Sequence, residues 1–240
     1  MSNWAPKRFW SSVTVTETGG GFGVALDHKP VNTPSKTPLI VPTRGLAELI
    51  ASEWGAQQGK VDPRTMPATR AANSALDKVR PQRADVADLI AAYGESDYLC
   101  YRATSPFALI ARQAALLDPV LDWAATALDA RLVTGPGVVP IVQNSGAIAA
   151  LRGRVHQFDH FQLTGFHDLV SLSGSLILGF AVALQAQTAE QAWALSRIDD
   201  DWQAEQWGAD DEATAHAGLK RAAFLDAARF FWLSSEANAA

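Results

Sequence analysis

The sequence predicts an α+β protein in which a small N-terminal antiparallel sheet with helices precedes a mostly helical C-terminal domain. Alternating segments rich in Val and Thr are concentrated before residue 45, whereas apolar residues at helical spacing dominate the rest of the chain. The composition is that of a globular protein, since 48% of the 240 residues are apolar and 19% are charged. We place the boundary before Pro106, which can start a helix, and this gives domains at 1–105 and 106–240.

Alternation and turn residues mark the N-terminal strands. Residues 9–18 alternate, a glycine-rich turn follows at 19–23, and the chain returns at 24–27, which predicts a β-hairpin. Segments 28–33 and 37–42 contain proline and are predicted as short edge strands. Because the glycines lie between two strands and do not open a helix, they are not expected to bind phosphate.

Capping residues and apolar spacing define the helices. Thr43 caps the first helix, which Gly59 ends, and the capping box formed by Thr188 and Gln191 starts a later one. Residues 97–102 are predicted to form a late strand of the first sheet. The other predicted helices cover 68–79, 82–93, 106–117, 119–130, 145–155, 165–186, 188–207 and 211–233.

Composition and missing motifs exclude several classes of function. The formal charge is −5 and no basic block occurs, which argues against a nucleic-acid binder. Cys100 is the one cysteine, so no intrachain disulfide can form, and its apolar surroundings predict a core residue in a reducing compartment. The sequence has no Walker A motif and no nucleophile elbow, so we expect no cofactor.

Two further features bear on location. The first ten residues lack the pattern of a signal or transit peptide, so we expect the protein to work in the cytoplasm. The uncharged segment Leu169–Ala189 has 21 residues, which is long enough to span a membrane. It contains several Ser, Gly and Gln residues, and these favour a buried helix over membrane insertion.

The histidines give the strongest pattern for an enzyme. His156 and His160 would share one face of a helix, and His167 could complete the metal site of a hydrolase. However, Gln157 stands where the catalytic motif has glutamate. We therefore assign no metal site, expect these side chains to form local hydrogen bonds, and keep a metal-dependent hydrolase as the alternative function.

The segment from Thr188 to Glu212 combines tryptophans with acidic residues. Seven acidic residues and no Lys or Arg lie between Asp199 and Glu212. On one helical wheel, Leu195, Ile198 and Trp202 form a stripe, and Trp193, Asp200 and Trp207 form another on the opposite side. Such a segment is either a solvated helix face or a docking surface with Trp anchors and acidic charges that steer a basic partner.

Glu205 lies at the margin of the apolar stripe, beside Ile198 and Trp202. A carboxylate at that position would be partly desolvated and would need a cationic partner. That partner is either an arginine of the same chain or a group on another protein.

Six runs of the chain are distinctive in combination. They are Pro38–Thr43, Glu53-Trp54 with Gln57, Met66-Pro67, Asp97–Arg102, Asp118–Trp123 and Asp200–Gly208. Together they resemble the assembly chaperones of F-type ATP synthase that act on the alpha subunit. The resemblance extends from about Arg8 to Phe230 and is weaker in the N-terminal portion.

This resemblance implies a chaperone without enzymatic activity that binds the newly made alpha subunit and prevents its aggregation until the catalytic hexamer assembles. In the family motif Gln-x-Glu-x-Trp-Gly the acidic position is functionally important, and it corresponds here to Glu205. We expect a monomer of the bacterial cytoplasm, the counterpart of mitochondrial matrix members, that binds no nucleic acid. The residues expected to bind the partner are Glu205, Trp202, Gln203, Trp207, Asp199 and Asp200.

Overall fold

A computed structural model describes residues 7–235, and the chain divides into two compact units. The first unit consists of Met1–Arg83, Asp159–Gly165 and Arg229–Ala240, and the second of Ala84–Phe158 and Phe166–Ala228. The predicted domain boundary before Pro106 therefore lies inside the second unit. The chain also returns twice to the first unit, and the division into domains at Pro106 stays a prediction. Residues 1–6, on which the expectation about targeting partly rests, lie outside the described residues.

The first unit contains the predicted hairpin. Strands β1 (Val13–Thr18) and β2 (Gly21–Leu26) pair antiparallel, and β3 (Lys29–Pro30) and β4 (Ile40–Val41) both pair with β2. The predicted edge strands are therefore present but shorter than expected. Gly21 has a φ of +134°, and a Cβ there would lie 2.4 Å from a β4 carbonyl oxygen, so this position requires glycine.

Helix α1 (Arg44–Ala56) begins where the sequence predicts. The Thr43 hydroxyl accepts a hydrogen bond from the Leu46 amide at 3.2 Å. The helix ends before Gln57, two residues earlier than Gly59 would place it. Its buried face packs in a core with the sheet and with the helix that follows.

The segment after α1 is helical but irregular. Helices α2 (Pro67–Ser74) and α3 (Arg83–Ala91) are joined by one wider turn at Ala75–Val79 and one tighter turn at Arg80–Gln82. The two predicted helices at 68–79 and 82–93 are thus confirmed in outline.

The strand predicted at residues 97–102 was wrong in most of its length. Residues Tyr98–Cys100 form a turn of 3-10 helix, and only β5 (Tyr101–Arg102) is extended. It pairs in parallel with β6 (Gly135–Pro136) and takes no part in the first sheet. The Asp97 carboxylate accepts a hydrogen bond from the Leu99 amide at 3.0 Å and caps this turn. Such a side-chain hydrogen bond favours a helical turn over a strand, and the apolar pattern does not reveal it.

The rest of the second unit is mainly helical, which completes the predicted α+β class. Its helices and those shared with the first unit are α4 (Phe107–Ala127), α5 (Ser145–Val155), α6 (His160–Ser173), α7 (Leu176–Ala183), α8 (Ala189–Leu195), α9 (Ile198–Trp207) and α10 (Asp211–Leu233). The break predicted between residues 117 and 119 is absent because α4 continues through Asp118 and Pro119. The helix predicted at 165–186 is instead divided at Gly174, which has a φ of +70°.

Helix α7 is buried along its whole length. A Cβ at Gly179 would lie 2.7 Å from a Val170 methyl group, so this glycine permits the close packing of α7. Among residues 7–235, no helix has the length and apolar character needed to cross a membrane.

Candidate partner-binding surface

Helix α9 carries the residues that the sequence predicts for partner binding, but it is shorter than predicted. The single helix expected at 188–207 is two helices, because α8 ends at Leu195 and α9 starts at Ile198. The capping box at Thr188 is confirmed. The break means that Leu195 no longer shares one continuous helical wheel with Trp202, so the predicted stripe was wrong at this residue.

The tryptophans of this region have different environments. Trp193 on α8 is buried, and its ring centroid lies 5.7 Å from that of Phe224. Trp202 on α9 is half-buried. Trp207, at the end of α9, is 80% exposed. Trp207 is therefore available to a partner, whereas Trp193 is a core residue.

Glu205 has the cationic partner that the sequence left open, and it belongs to this chain. Its two carboxylate oxygens accept hydrogen bonds from Arg112 on α4, each at 2.8 Å. The Arg112 guanidinium also lies 4.6 Å from the centre of the Trp202 ring. Hydrogen bonding from Arg112 lowers the pKa of Glu205, so the carboxylate is ionised at neutral pH.

This ion pair is accessible to solvent. The Arg112 side chain is 34% exposed and the Glu205 side chain 50%. Exposed ion pairs contribute little to folding stability. Replacement of Glu205 is therefore not expected to unfold the helices, although its partner is internal.

The two aspartates predicted for partner binding are both engaged within the chain. Asp199 is half-buried and accepts a hydrogen bond from the Gln113 side chain at 2.6 Å and one from the Tyr98 hydroxyl at 3.4 Å. Asp200 is exposed and pairs with Arg197 at 2.6 Å. The structure thus gives Asp199 a role in attaching α9 to α4.

Other acidic residues of the segment face solvent. Asp201, Asp210, Asp211 and Glu212 are all exposed. Partial burial, together with the charges of Asp200 and Glu205, raises the pKa of Asp201 against the opposing effect of nearby arginines. Asp210 accepts the Ala213 amide at 2.7 Å and so caps α10. Asp210, Asp211 and Glu212 give the start of α10 a negative surface, and Asp201 adds a negative charge in the first turn of α9.

The motif residues around Glu205 complete the exposed end of α9. Gln203 is exposed, and Gly208 ends the helix with a φ of +91°. A residue with a Cβ would be strained at this φ, which gives the motif glycine a structural reason. The helix therefore presents Gln203 and Trp207 to solvent.

The three histidines do not form a ligand set. His156 lies 2.6 Å from an Asp88 oxygen, His167 lies 2.9 Å from Asp168, and the His160 ring lies 4.5 Å from that of Phe161, tilted by 38°. Within the described part of the chain, no group of three or more His, Cys, Asp or Glu side chains could hold a metal ion. The hydrogen bonding expected for these side chains is observed for His156 and His167.

The other candidates from the sequence are structural. Burial raises the pKa of the Cys100 thiol to about 12, which agrees with a core residue. Glu53 is buried and accepts the Ala68 and Thr69 amides at 2.7 and 2.8 Å, and Gln57 accepts the Asp62 amide at 2.7 Å. Glu53 and Gln57, which belong to the distinctive runs, therefore fix the positions of α2 and of the loop that precedes it.

Sequence reasoning missed two features of the second unit. It did not identify Arg112, because nothing local marks a residue 93 positions before Glu205 as its partner. It also passed over an uncharged segment after β6 in which Val138 and Val142 are 91% and 93% exposed. The absence of charge between Arg131 and Arg152 was the available signal for this second feature.

The chain is similar to several known proteins in sequence and in fold. Residues 7–125 match the family described as ATP12 chaperone protein. The crystal structure of Atp12 from Paracoccus denitrificans is 49% identical and superposes with a TM-score of 0.93, covering 95% of this chain and 98% of that chain. A crystal structure of a protein from Agrobacterium tumefaciens is 42% identical with a TM-score of 0.89, covering 93% and 85%. The mitochondrial protein atp12 of Schizosaccharomyces pombe is 24% identical over 86% of this chain and 75% of its own length.

A helical surface with exposed aromatic and acidic groups is typical of a protein that binds other proteins. The whole-length similarity makes the class specific: the chain belongs to the ATP12 chaperone family. This confirms the family of ATP synthase assembly chaperones that the sequence resembles.

Proposed function

We propose that this chaperone binds the unassembled alpha subunit of F-type ATP synthase and keeps it from aggregating until the catalytic hexamer forms. The observation that carries the proposal is the end of α9, where Trp207 is 80% exposed and lies two residues after Glu205 of the Arg112–Glu205 pair. Family membership supports a chaperone, and this surface supports a partner with apolar and basic groups. The protein acts as a monomer in the bacterial cytoplasm, without a cofactor or catalytic step.

The physical requirement on such a chaperone is moderate affinity. A subunit that awaits assembly exposes an apolar interface, and large exposed patches of this kind lead to aggregation. The chaperone has to cover the patch and later release it, so a few aromatic anchors with acidic steering suit it better than an extensive apolar face. Trp207 and the exposed acidic residues that follow α9 meet this requirement.

The proposal is tested by deleting the gene in the native host and following the alpha subunit. We expect the alpha subunit in the insoluble fraction and a loss of assembled synthase, with unchanged transcript levels. Wild-type protein should restore assembly, and Glu205→Lys should not. The matched control is Glu48→Lys, the same change at an exposed position of α1. Normal amounts of soluble, assembled synthase in the deletion strain would contradict the proposal.

A further inference from the structure

Arg112 makes two different contacts with the same helix. The edge of its guanidinium donates to both oxygens of Glu205, and its face lies over the Trp202 ring at 4.6 Å. Because Trp202 and Glu205 are three positions apart, they are neighbours on α9. One side chain of α4 therefore fixes the positions of an aromatic group and a carboxylate on α9.

The neighbouring residue strengthens this connection. Gln113 is buried, and its amide donates to Asp199 at 2.6 Å, while its oxygen accepts the Ala103 amide at 2.8 Å. Two consecutive residues of α4 thus contact α9, Gln113 at Asp199 and Arg112 at positions three and six residues further along. The buried contact attaches the start of α9, and the exposed contact arranges its solvent side.

We propose that Arg112 is a positioning residue for partner binding, which holds the Glu205 carboxylate and the Trp202 ring in the one arrangement that the partner recognises. The inference rests on the proposed function and deepens it, since the recognition surface then consists of α4 and α9 together. Glu205 acts as half of an ion pair and not as a lone negative charge.

Preorganisation is the physical benefit of this arrangement. A free glutamate or arginine side chain samples many rotamers, and ordering it on binding weakens affinity. The bidentate pair orders both side chains before the partner arrives. Each carboxylate oxygen keeps a second lone pair, so a donor of the partner can still bind. A lysine at position 205 would instead place two cations together and remove the bidentate contact that orders the Arg112 side chain.

The test is a double-mutant cycle measured by two methods. The dissociation constant for purified, unassembled alpha subunit and the Tm of the chaperone are determined for Arg112→Ala, Glu205→Ala and the double variant. We expect each single variant to weaken binding at least about tenfold. The double variant should bind the alpha subunit no more weakly than either single variant does, because the two residues act as one unit. The Tm should change by less than about 3 °C, because the pair is exposed.

Two further variants separate positioning from charge alone. Arg112→Lys keeps the positive charge but cannot form the bidentate contact, so binding should be intermediate. The exchanged pair Arg112→Glu with Glu205→Arg should bind better than Glu205→Arg alone. Arg131→Ala is the matched control, since this exposed arginine pairs only weakly with Asp122, at 3.8 Å, and should leave binding unchanged.

The outcomes distinguish the inference from the proposed function. If wild-type protein binds the alpha subunit and Arg112→Ala binds it equally well, the inference is overturned and the proposed function stands. A large fall in Tm for Arg112→Ala that matches the loss of binding would also overturn it, because the role would then be structural. If wild-type protein does not bind the alpha subunit at all, both fail.

Discussion

Two buried carboxylates, Glu53 and Asp97, bind backbone amides at the starts of helical segments. Glu53 accepts both amides at the start of α2 and also the Thr69 hydroxyl at 2.6 Å. Asp97 is fully buried and accepts the Leu99 and Ile177 amides, each at 3.0 Å. Both satisfy donors that have no partner within their own helix. These residues belong to the distinctive runs of the sequence, and the structure explains them through folding and not through partner contact.

Glu53→Ala is expected to destabilise the protein strongly. The substitution leaves two buried amides at the start of α2 without a partner, which costs about 1–3 kcal/mol for each group. We expect the free energy of unfolding to fall by about 3 kcal/mol in denaturant titration. Glu48→Ala, an exposed position of the same helix, should change it by less than about 0.5 kcal/mol. Equal effects of the two substitutions would contradict this role of Glu53.

Asp97 should make stability depend on pH. Burial raises its pKa from 3.8 to about 6, against the opposing effect of its hydrogen bonds. The folded protein therefore holds the proton more tightly than the unfolded chain, so this contribution to stability is present below about pH 4 and is lost as pH rises through about 6.

The measurement is thermal melting of wild-type protein and Asp97→Asn between about pH 4.5 and 7.5. Asparagine does not titrate, so the destabilisation that it causes should become smaller as pH rises. The change should be on the order of 2 kcal/mol over this range. A difference in stability that stays constant with pH would show that the carboxyl does not titrate as described.

Helix boundaries in this protein depend on signals of different range. Short-range signals were read correctly, as at Thr43 and in the capping box at Thr188, because a cap and its amide lie within a few residues. The break predicted between residues 117 and 119 was wrong, since tertiary packing holds α4 together around the one hydrogen bond that Pro119 cannot donate. Gly174 was overlooked, although glycine is the residue that most readily ends a helix.

Gly174→Ala and Gly218→Ala should have opposite effects on stability. Gly174 has a φ of +70° between α6 and α7, and alanine at that φ costs about 1 kcal/mol or more. Gly218 lies within α10, and a Cβ there would meet nothing within 4 Å, so alanine should stabilise the helix by up to about 1 kcal/mol. Chemical denaturation of both variants measures the two values. Stabilisation by Gly174→Ala would contradict the assigned helix boundary.

The contacts that the sequence could not predict at the candidate site join residues far apart in the chain. Trp207 at the end of the acidic helix α9 is exposed, and the docking surface considered from the sequence stays a prediction. The Arg112–Glu205 pair and the parallel pairing of β5 with β6 join residues far apart in the chain. Local composition and periodicity contain no information on such pairs, so Glu205 could be singled out while its partner could not.

Over the whole molecule, charge is divided unevenly between the two units. The second unit contains 17 acidic and 8 basic residues, whereas the first contains 8 acidic and 12 basic residues. The net charge of −5 therefore conceals a strongly acidic unit that carries the candidate surface. A field of this kind attracts a basic partner over distances comparable to the Debye length.

Salt should therefore slow association more than it speeds dissociation. We expect the association rate with the alpha subunit to fall about tenfold between about 50 and 500 mM NaCl, because exposed charges are screened. The dissociation rate should change much less, since it reflects short-range contacts. Stopped-flow or surface-based kinetics measures both rates. An association rate that does not depend on salt would show that the acidic unit does not steer the partner.

The central claim is that this chain protects the alpha subunit through the surface formed by α4 and α9. The most direct measurement is light scattering after purified alpha subunit is diluted from denaturant into buffer with wild-type protein, Glu205→Lys or Glu48→Lys. We predict that wild-type protein and Glu48→Lys suppress aggregation near equimolar ratio, whereas Glu205→Lys does not, although its Tm is nearly that of wild type. Aggregation that continues unchanged with excess wild-type protein, or equal protection by Glu205→Lys, would contradict the claim.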